Sequence, residues 1–228
     1  EKTKSLQPDR LAFYSYAHVP WIKGNGQRGF NDEDIPKDDK KRMLYETGKK
    51  LLFENGYHEI GMDHFALKTD TLYDAFEKGA LHRNFMGYSS SKTKLMIGLG
   101  VSSISDSWYS FAQNVKSLEE YYQLLERNKL PVYRGHLLTG EDLIIRKHIL
   151  NLMCQFETSW KNQEAYFEEI PEVLNQLKEM ENDGLLIIKE NSIAVTEKGK
   201  PYVRNICMAF DLRLKRKAPE TELFSMTI

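Results

Sequence analysis

The sequence predicts an α/β chain in two unlike parts: strands alternating with helices over residues 1–114, then a mainly helical segment over residues 115–228. Three observations lead there. Short apolar, aromatic-rich runs around Phe13, Ile60 and Ile97 read as buried strands. Between them Met43, Leu44, Leu51 and Leu52 recur at helical spacing. Beyond Gln113 three amphipathic stretches follow, with one apolar hairpin pattern after the third. The first part has the order expected of the last third of a β/α barrel. The second reads as a helix, hairpin and helix, a winged-helix-like module.

Taken in order, residues 10–17 form an aromatic-rich run closed by Pro20, expected as a buried strand. Gly24 to Gly26 and Asn31 to Pro36 are dense in turn formers and mark a loop. Asp38 and Asp39 are expected to cap a helix that Gly56 stops. Residues 57–61 form the next strand and 71–78 a short helix with Gly79 as its C-cap. Residues 95–101 are expected as a third buried strand, with Gly98 and Gly100 permitting close backbone approach. Residues 115–129 read as an amphipathic helix. Thr139 and Asp142 have capping-box spacing at the start of the next helix. A third helix spans 166–181 and ends at Asp183–Gly184. Residues 185–195 form a hairpin turning at Glu190–Asn191. A last helix is expected from Tyr202 to about Lys217.

Composition narrows the classes. The chain has 228 residues, 41% hydrophobic and 29% charged, with a formal charge of −1. That balance is ordinary for a soluble globular protein and gives no general attraction to nucleic acid or to membranes. No run approaches the length of a membrane span, and residues 1–8 have no apolar core of a signal peptide. The two cysteines, Cys154 and Cys207, are far apart and suit a reducing, cytoplasmic setting better than a disulfide scaffold.

Chemistry-bearing residues are few. His18 and His64 stand just past expected strands, where barrel loops carry function, although a satisfied structural histidine is the alternative. No His, Cys, Asp or Glu cluster has metal-ligand spacing, and Asp63–His64 lacks a nucleophile motif. Residues 89–94, rich in Ser and Lys, lack the glycines of a phosphate loop and read as solvated. Arg213, Lys215, Arg216 and Lys217 form a basic run, expected as an exposed helix face.

Five blocks carry a resemblance. They are Tyr14-Ser15-Tyr16-Ala17-His18-Val19-Pro20, Gly56 to Ala66 (GYHEIGMDHFA), Leu81-His82-Arg83-Asn84-Phe85-Met86-Gly87-Tyr88, Gly98 to Ser105 (GLGVSSIS) and Arg204-Asn205-Ile206-Cys207-Met208. Their combination and order resemble the oxygen-independent coproporphyrinogen III oxidases, radical S-adenosylmethionine enzymes of haem synthesis. The resemblance implies that residues 1–114 are the C-terminal part of a radical-SAM partial β/α barrel. It also implies that the chain is the C-terminal half of the enzyme, cut before Glu1 and ending naturally at Ile228.

Family members convert two propionates of coproporphyrinogen III to vinyl groups, giving protoporphyrinogen IX and carbon dioxide. They use two S-adenosylmethionine molecules and a [4Fe–4S] cluster on three closely spaced cysteines. Two distant cysteines do not make that motif, so the cluster is expected in an N-terminal half outside this chain, and the chain alone is expected to be inactive. Carried over by motif, Ala17 and Ile104 are expected to touch S-adenosylmethionine. Arg83, Phe85 and Met86 are expected beside the substrate cavity, with Met86 where relatives often have glutamine. No catalytic proton-transfer residue and no metal ligand is assigned, and the electron donor is not identified. A haem-transfer protein of the same superfamily and a nucleic-acid-binding winged helix are the rival readings. The face with Ala17 and Ile104 is expected to drive self-association or pairing with the other half.

Overall fold

The computed structural model describes residues 2–18, 29 and 31–217. The expected strand end at Pro20, the loop at Gly24 to Gly26 and the C-terminal residues 224–228 lie outside the described residues.

The chain opens with α1 (Lys2–Leu6), β1 (Arg10–Ala12) and α2 (Asp38–Glu54), then β2 (Tyr57–Gly61), β3 (His64–Leu67) and α3 (Thr71–Glu77). Two hairpins follow: β4 (His82–Asn84) with β5 (Gly87–Ser89), and β6 (Ile104–Asp106) with β7 (Ser110–Asn114). Next come α4 (Leu118–Glu126), β8 (Val132–Leu137), α5 (Gly140–Gln155), β9 (Glu157–Ser159) and α6 (Ile170–Asn182). The described chain closes with β10 (Leu186–Lys189), β11 (Ser192–Val195), a 3₁₀ turn, α7 (Val203–Met208) and α8 (Leu212–Lys217).

Every named strand pair among the described residues is antiparallel, in the orders β1-β3-β2, β4-β5, β6-β7-β8 and β10-β11-β9. The parallel ladder expected of a barrel remnant is absent among them, and the described residues form no closed barrel. For three of these pairs the cause is connection length. Met62–Asp63, Phe85–Met86 and Glu190–Asn191 are two-residue links, far too short for the crossover that parallel strands require.

Other expectations also change. The strand at 10–17 shrinks to Arg10–Ala12 and is largely exposed. Residues 95–101 are a loop with one isolated bridge, Met96 to Asp106; Leu95, Ile97 and Leu99 are 60%, 67% and 83% exposed. Asp38 and Asp39 sit in the first turn of α2 and favour it through the helix dipole, while Lys37 holds the cap position without a side-chain bond. The third helix starts only at Ile170, where Pro171 suits the first turn. The last helix is broken. Pro201 lies in a 3₁₀ turn over Glu197–Tyr202, and a second break separates α7 from α8.

Several expectations hold. The 57–61 strand, the helix at 71, the capping box at Thr139 and the hairpin at 186–195 are all present. The hairpin gains a third strand, β9, that the sequence did not announce.

The 114/115 boundary runs through a sheet, since β7 pairs with β8 across it. One buried cluster likewise draws on both sides: Ile60, Ala66, Leu72 and Tyr88 join Leu152, Val173, Leu177, Ile193, Ile206 and Phe210. Inside it His148 is fully satisfied, with Nδ1 at 2.7 Å from Thr158 Oγ1 and Nε2 at 2.7 Å from the Ala165 carbonyl. Burial holds its pKa below the usual histidine value.

Arg213 and Arg216 of the basic run on α8 are exposed, as expected, and both are ion-paired. Arg213 donates Nε and Nη2 to Asp142 at 2.6 and 2.7 Å, and Arg216 reaches Glu141 and Glu169. Asp142 also accepts from the Thr139 backbone N–H at 2.8 Å and Thr139 Oγ1 accepts from the Asp142 N–H. One carboxylate therefore caps α5 and anchors α8.

Two outcomes follow. Thr139→Ala should destabilise the fold by about 1 kcal/mol in chemical denaturation, the usual worth of an N-cap. Arg213 and the Thr139 bonds hold the Asp142 carboxyl well below the usual carboxylate range. Its stabilisation is therefore complete above the unfolded value of about 4 and is lost as pH falls toward the depressed folded value. Asp142→Asn should be less stable than wild type at pH 7, and the gap should narrow steadily below about pH 4. A gap that stays constant down to pH 2 would contradict this.

Candidate functional site around the Arg83 hairpin and the Ile104 loop

The β4–β5 hairpin places three of the expected site residues. Arg83 pairs across the strands with Tyr88, and its guanidinium lies over the Tyr88 ring, 4.9 Å from the centroid. One Nη of Arg83 approaches the Met62 sulfur at 3.6 Å. Phe85 and Met86 form the hairpin tip, 54% and 84% exposed, and the Met86 N–H donates to Asn84 Oδ1 at 2.8 Å. Gly87, at φ +113, completes the turn.

Tyr88 is the buried foundation of this hairpin. Its hydroxyl donates to the Met153 carbonyl on α5 at 2.8 Å. Burial raises its pKa far above the usual tyrosine value, so it stays a neutral donor. Gly61 lies directly beneath; a Cβ there would stand 2.6 Å from the Tyr88 hydroxyl oxygen. The His64 ring meets the Tyr88 ring edge-on at 5.0 Å. Burial first, then the Arg83 charge, lowers the His64 pKa, favouring the neutral imidazole. Burial raises the Asp63 carboxyl, with Glu59 adding to it and Arg83 and Arg204 opposing. Met62 and Asp63 join β2 to β3, and Met62 adopts φ +45.

Ile104 begins β6 and is half-buried, beside the loop at 95–103. That loop is built. Asn114 Nδ2 donates to the carbonyls of Gly98 and Gly100 at 3.2 and 2.8 Å, and the Gly98 N–H donates to Ser105 Oγ at 3.0 Å. A Cβ on Gly98 would sit 2.8 Å from the Ile104 carbonyl oxygen, so only glycine lets the loop close on this strand. Phe85 packs edge-on against Phe111 of β7 at 5.1 Å, so the hairpin tip and the Ile104 sheet adjoin. Ala17 is exposed, beyond the end of β1; the Phe13 N–H donates to the Asp63 carbonyl at 2.7 Å and draws that segment toward the same turn.

An ion-paired cluster that the sequence reading missed stands behind the sheet. Arg146 of α5 donates to Asp106 Oδ2 at 2.6 Å and to the Trp108 carbonyl at 2.9 Å. Its guanidinium lies 4.5 Å from the Trp108 ring centroid and 5.0 Å from that of Phe111. Forty residues separate the paired charges, so no local spacing could have announced them.

Cys154 and Cys207 are both buried, on α5 and α7. Burial pushes their thiols up to about 11 and about 12, far from the thiolate that cluster ligation needs. Among the described residues no group of three or more His, Cys, Asp or Glu could hold a metal ion. These residues do not fit an iron–sulfur cluster.

Among the described residues no helix is long and apolar enough to cross a membrane. No protein-family model matches the chain. Known proteins do. The oxygen-independent coproporphyrinogen III oxidase of Escherichia coli (strain K12) is 39% identical over 223 residues, covering 96% of this chain and 49% of the relative. The enzyme of the same name from Synechocystis sp. is 36% identical over 236 residues, covering all of this chain and 50% of the relative. A solved structure of coproporphyrinogen III oxidase from Escherichia coli, described as a radical SAM enzyme, superposes with a TM-score of 0.86 at 38% identity. It covers 93% of this chain and 50% of that one. The chain thus spans about half the length of the curated relatives it matches and is, along nearly all of its own length, homologous to oxygen-independent coproporphyrinogen III oxidases.

Proposed function

We propose that this chain is the C-terminal half of an oxygen-independent coproporphyrinogen III oxidase. The enzyme would convert coproporphyrinogen III to protoporphyrinogen IX by oxidative decarboxylation, in the cytoplasm. The observation that carries the reading is the match itself: about 38% identity and a TM-score of 0.86 over nearly the whole chain. The relatives' names favour the oxidase over a haem-transfer protein. The ion pairing of Arg213 and Arg216 offsets part of the positive charge that a nucleic-acid-binding winged helix would use, which favours the oxidase reading. A winged-helix-like module of α6, the β10–β11 hairpin and the helices that follow it, within a C-terminal unit of residues 115–228, is part of this proposal.

In this reading S-adenosylmethionine, when bound, supplies the radical that abstracts hydrogen from a propionate. The chain's own part is to bind and orient. Ile104 offers an apolar, half-buried wall beside a loop stapled by Asn114, which suits a pocket edge. Ala17, exposed beyond the end of β1, would lie against S-adenosylmethionine. Arg83, Phe85 and Met86 would line the substrate cavity. The [4Fe–4S] cluster would sit in the other half. That half would also cover the exposed side chains of Leu95, Ile97, Leu99, Leu130 and Leu137.

Two experiments bear on this. After anaerobic reconstitution with iron and sulfide, the chain alone should show no stable cluster absorbance and no decarboxylation. Co-expression with the unmatched part of the Escherichia coli relative should restore activity; a chain active by itself would sink the reading. In that assembly Ile104→Asp should weaken S-adenosylmethionine binding by about tenfold or more, because a carboxylate would face an apolar wall. Unchanged cofactor affinity would reject the Ile104 assignment.

A further inference from the structure

Most arginines near the core of this chain are matched to carboxylates. Arg10 donates to Asp70, Arg146 to Asp106, Arg213 to Asp142 and Arg216 to Glu141. Arg83 is different. It is half-buried, yet its polar contacts are the thioether of Met62, a weak acceptor, and the neutral hydroxyl of Tyr88. No carboxylate among the described residues lies within ion-pair distance of it. Asp63 acts on it only from farther off, and burial raises that carboxyl. Glu59 is already taken by Lys49 at 2.5 Å.

A half-buried guanidinium that lacks an anionic partner for its fork of donors is costly unless an anion completes it. Its position is also fixed. Tyr88 supports it from below, and Tyr88 is itself held by the Met153 carbonyl. The stem is thereby ordered before any ligand arrives, which lowers the entropic cost of binding. Two residues further on, the same hairpin presents Phe85 and Met86 to solvent, with Phe85 braced against Phe111. One short element therefore combines a preset cation with an exposed apolar tip. That combination matches an apolar macrocycle bearing carboxylate arms.

We propose that Arg83 is a carboxylate anchor: its guanidinium grips one carboxylate arm of the tetrapyrrole while Phe85 and Met86 lie against the ring. This rests on the substrate reading given above and adds a residue role to it. Arg83 is a binding and positioning residue and takes no part in proton transfer, since a guanidinium keeps its charge at all working pH values.

The test is a titration of the 228-residue chain with coproporphyrin III, the stable oxidised tetracarboxylate, and with its tetramethyl ester, followed by porphyrin fluorescence. Wild type should bind the acid more tightly than the ester. Arg83→Met, which keeps an apolar stem, should weaken acid binding by about tenfold or more and leave ester binding within about twofold. Arg83→Lys should fall between, because it keeps the charge and loses the fork. Wild-type affinity for the acid in both variants would overturn the anchor while leaving the substrate reading intact. No binding of either porphyrin to wild type would overturn both. If Arg83→Met loses the ester as well, Arg83→Lys decides: a selective loss of acid binding supports the anchor, and an unchanged acid-to-ester ratio overturns it.

Discussion

The hydrogen bond from the Tyr88 hydroxyl to the Met153 carbonyl is the constraint on which the arrangement of the site depends. It joins a three-residue strand to a helix 65 positions away in sequence. Its net worth is only about 1 kcal/mol, but leaving the buried groups unpaired would cost about 1–3 kcal/mol. More follows from geometry than from energy. With Tyr88 pinned, Gly61 must remain glycine, the β2–β3 turn lies beneath the ring, and the Arg83 side chain has a fixed platform. Met62 and His64 then both meet this platform, Met62 through Arg83 and His64 through the Tyr88 ring.

The Asp106–Arg146 pair does the same for the other half of the site. It ties the strand that begins at Ile104 to α5, the helix that also receives Tyr88. The guanidinium is flanked by the rings of Trp108 and Phe111, so its charge is met by a carboxylate at one end and π faces along its plane. Helix α5 is thus the common reference for both the hairpin and the Ile104 loop. A side chain that moves α5 would move both.

What the sequence disclosed was mostly local. Gly56 and Gly184 stop helices in left-handed conformations that a periodic pattern with a terminal glycine predicts. Thr139 and Asp142 form the reciprocal cap that their spacing implies. The hairpin at Glu190–Asn191 follows from two β-branched runs around a short link. What stayed hidden was non-local. Apolar runs at 57–61 and 64–67 are equally compatible with parallel and antiparallel neighbours, and only the two-residue link between them decides. Leu95, Ile97 and Leu99 alternate with other residues like a strand, yet Asn114 holds this segment as a loop and leaves them outward. For the site, the motif blocks pointed to Arg83, Phe85 and Ile104. The partners that position them, Tyr88 with Met153 and Asp106 with Arg146, are paired only by the folded chain.

His148 carries a consequence for how the helical part holds its hydrogens. The Ala165 carbonyl can only accept, so Nε2 must carry the proton. With the ring neutral, Nδ1 accepts, and the Thr158 hydroxyl must donate to it. That hydroxyl accepts in turn from Asn151 Nδ2 at 3.3 Å. The result is a one-way relay from Asn151 through Thr158 and His148 to Ala165, with a single tautomer allowed. Helix α5, strand β9 and the turn before α6 are therefore locked to one another by direction as well as by distance, and a flip of the His148 ring would break both of its links at once.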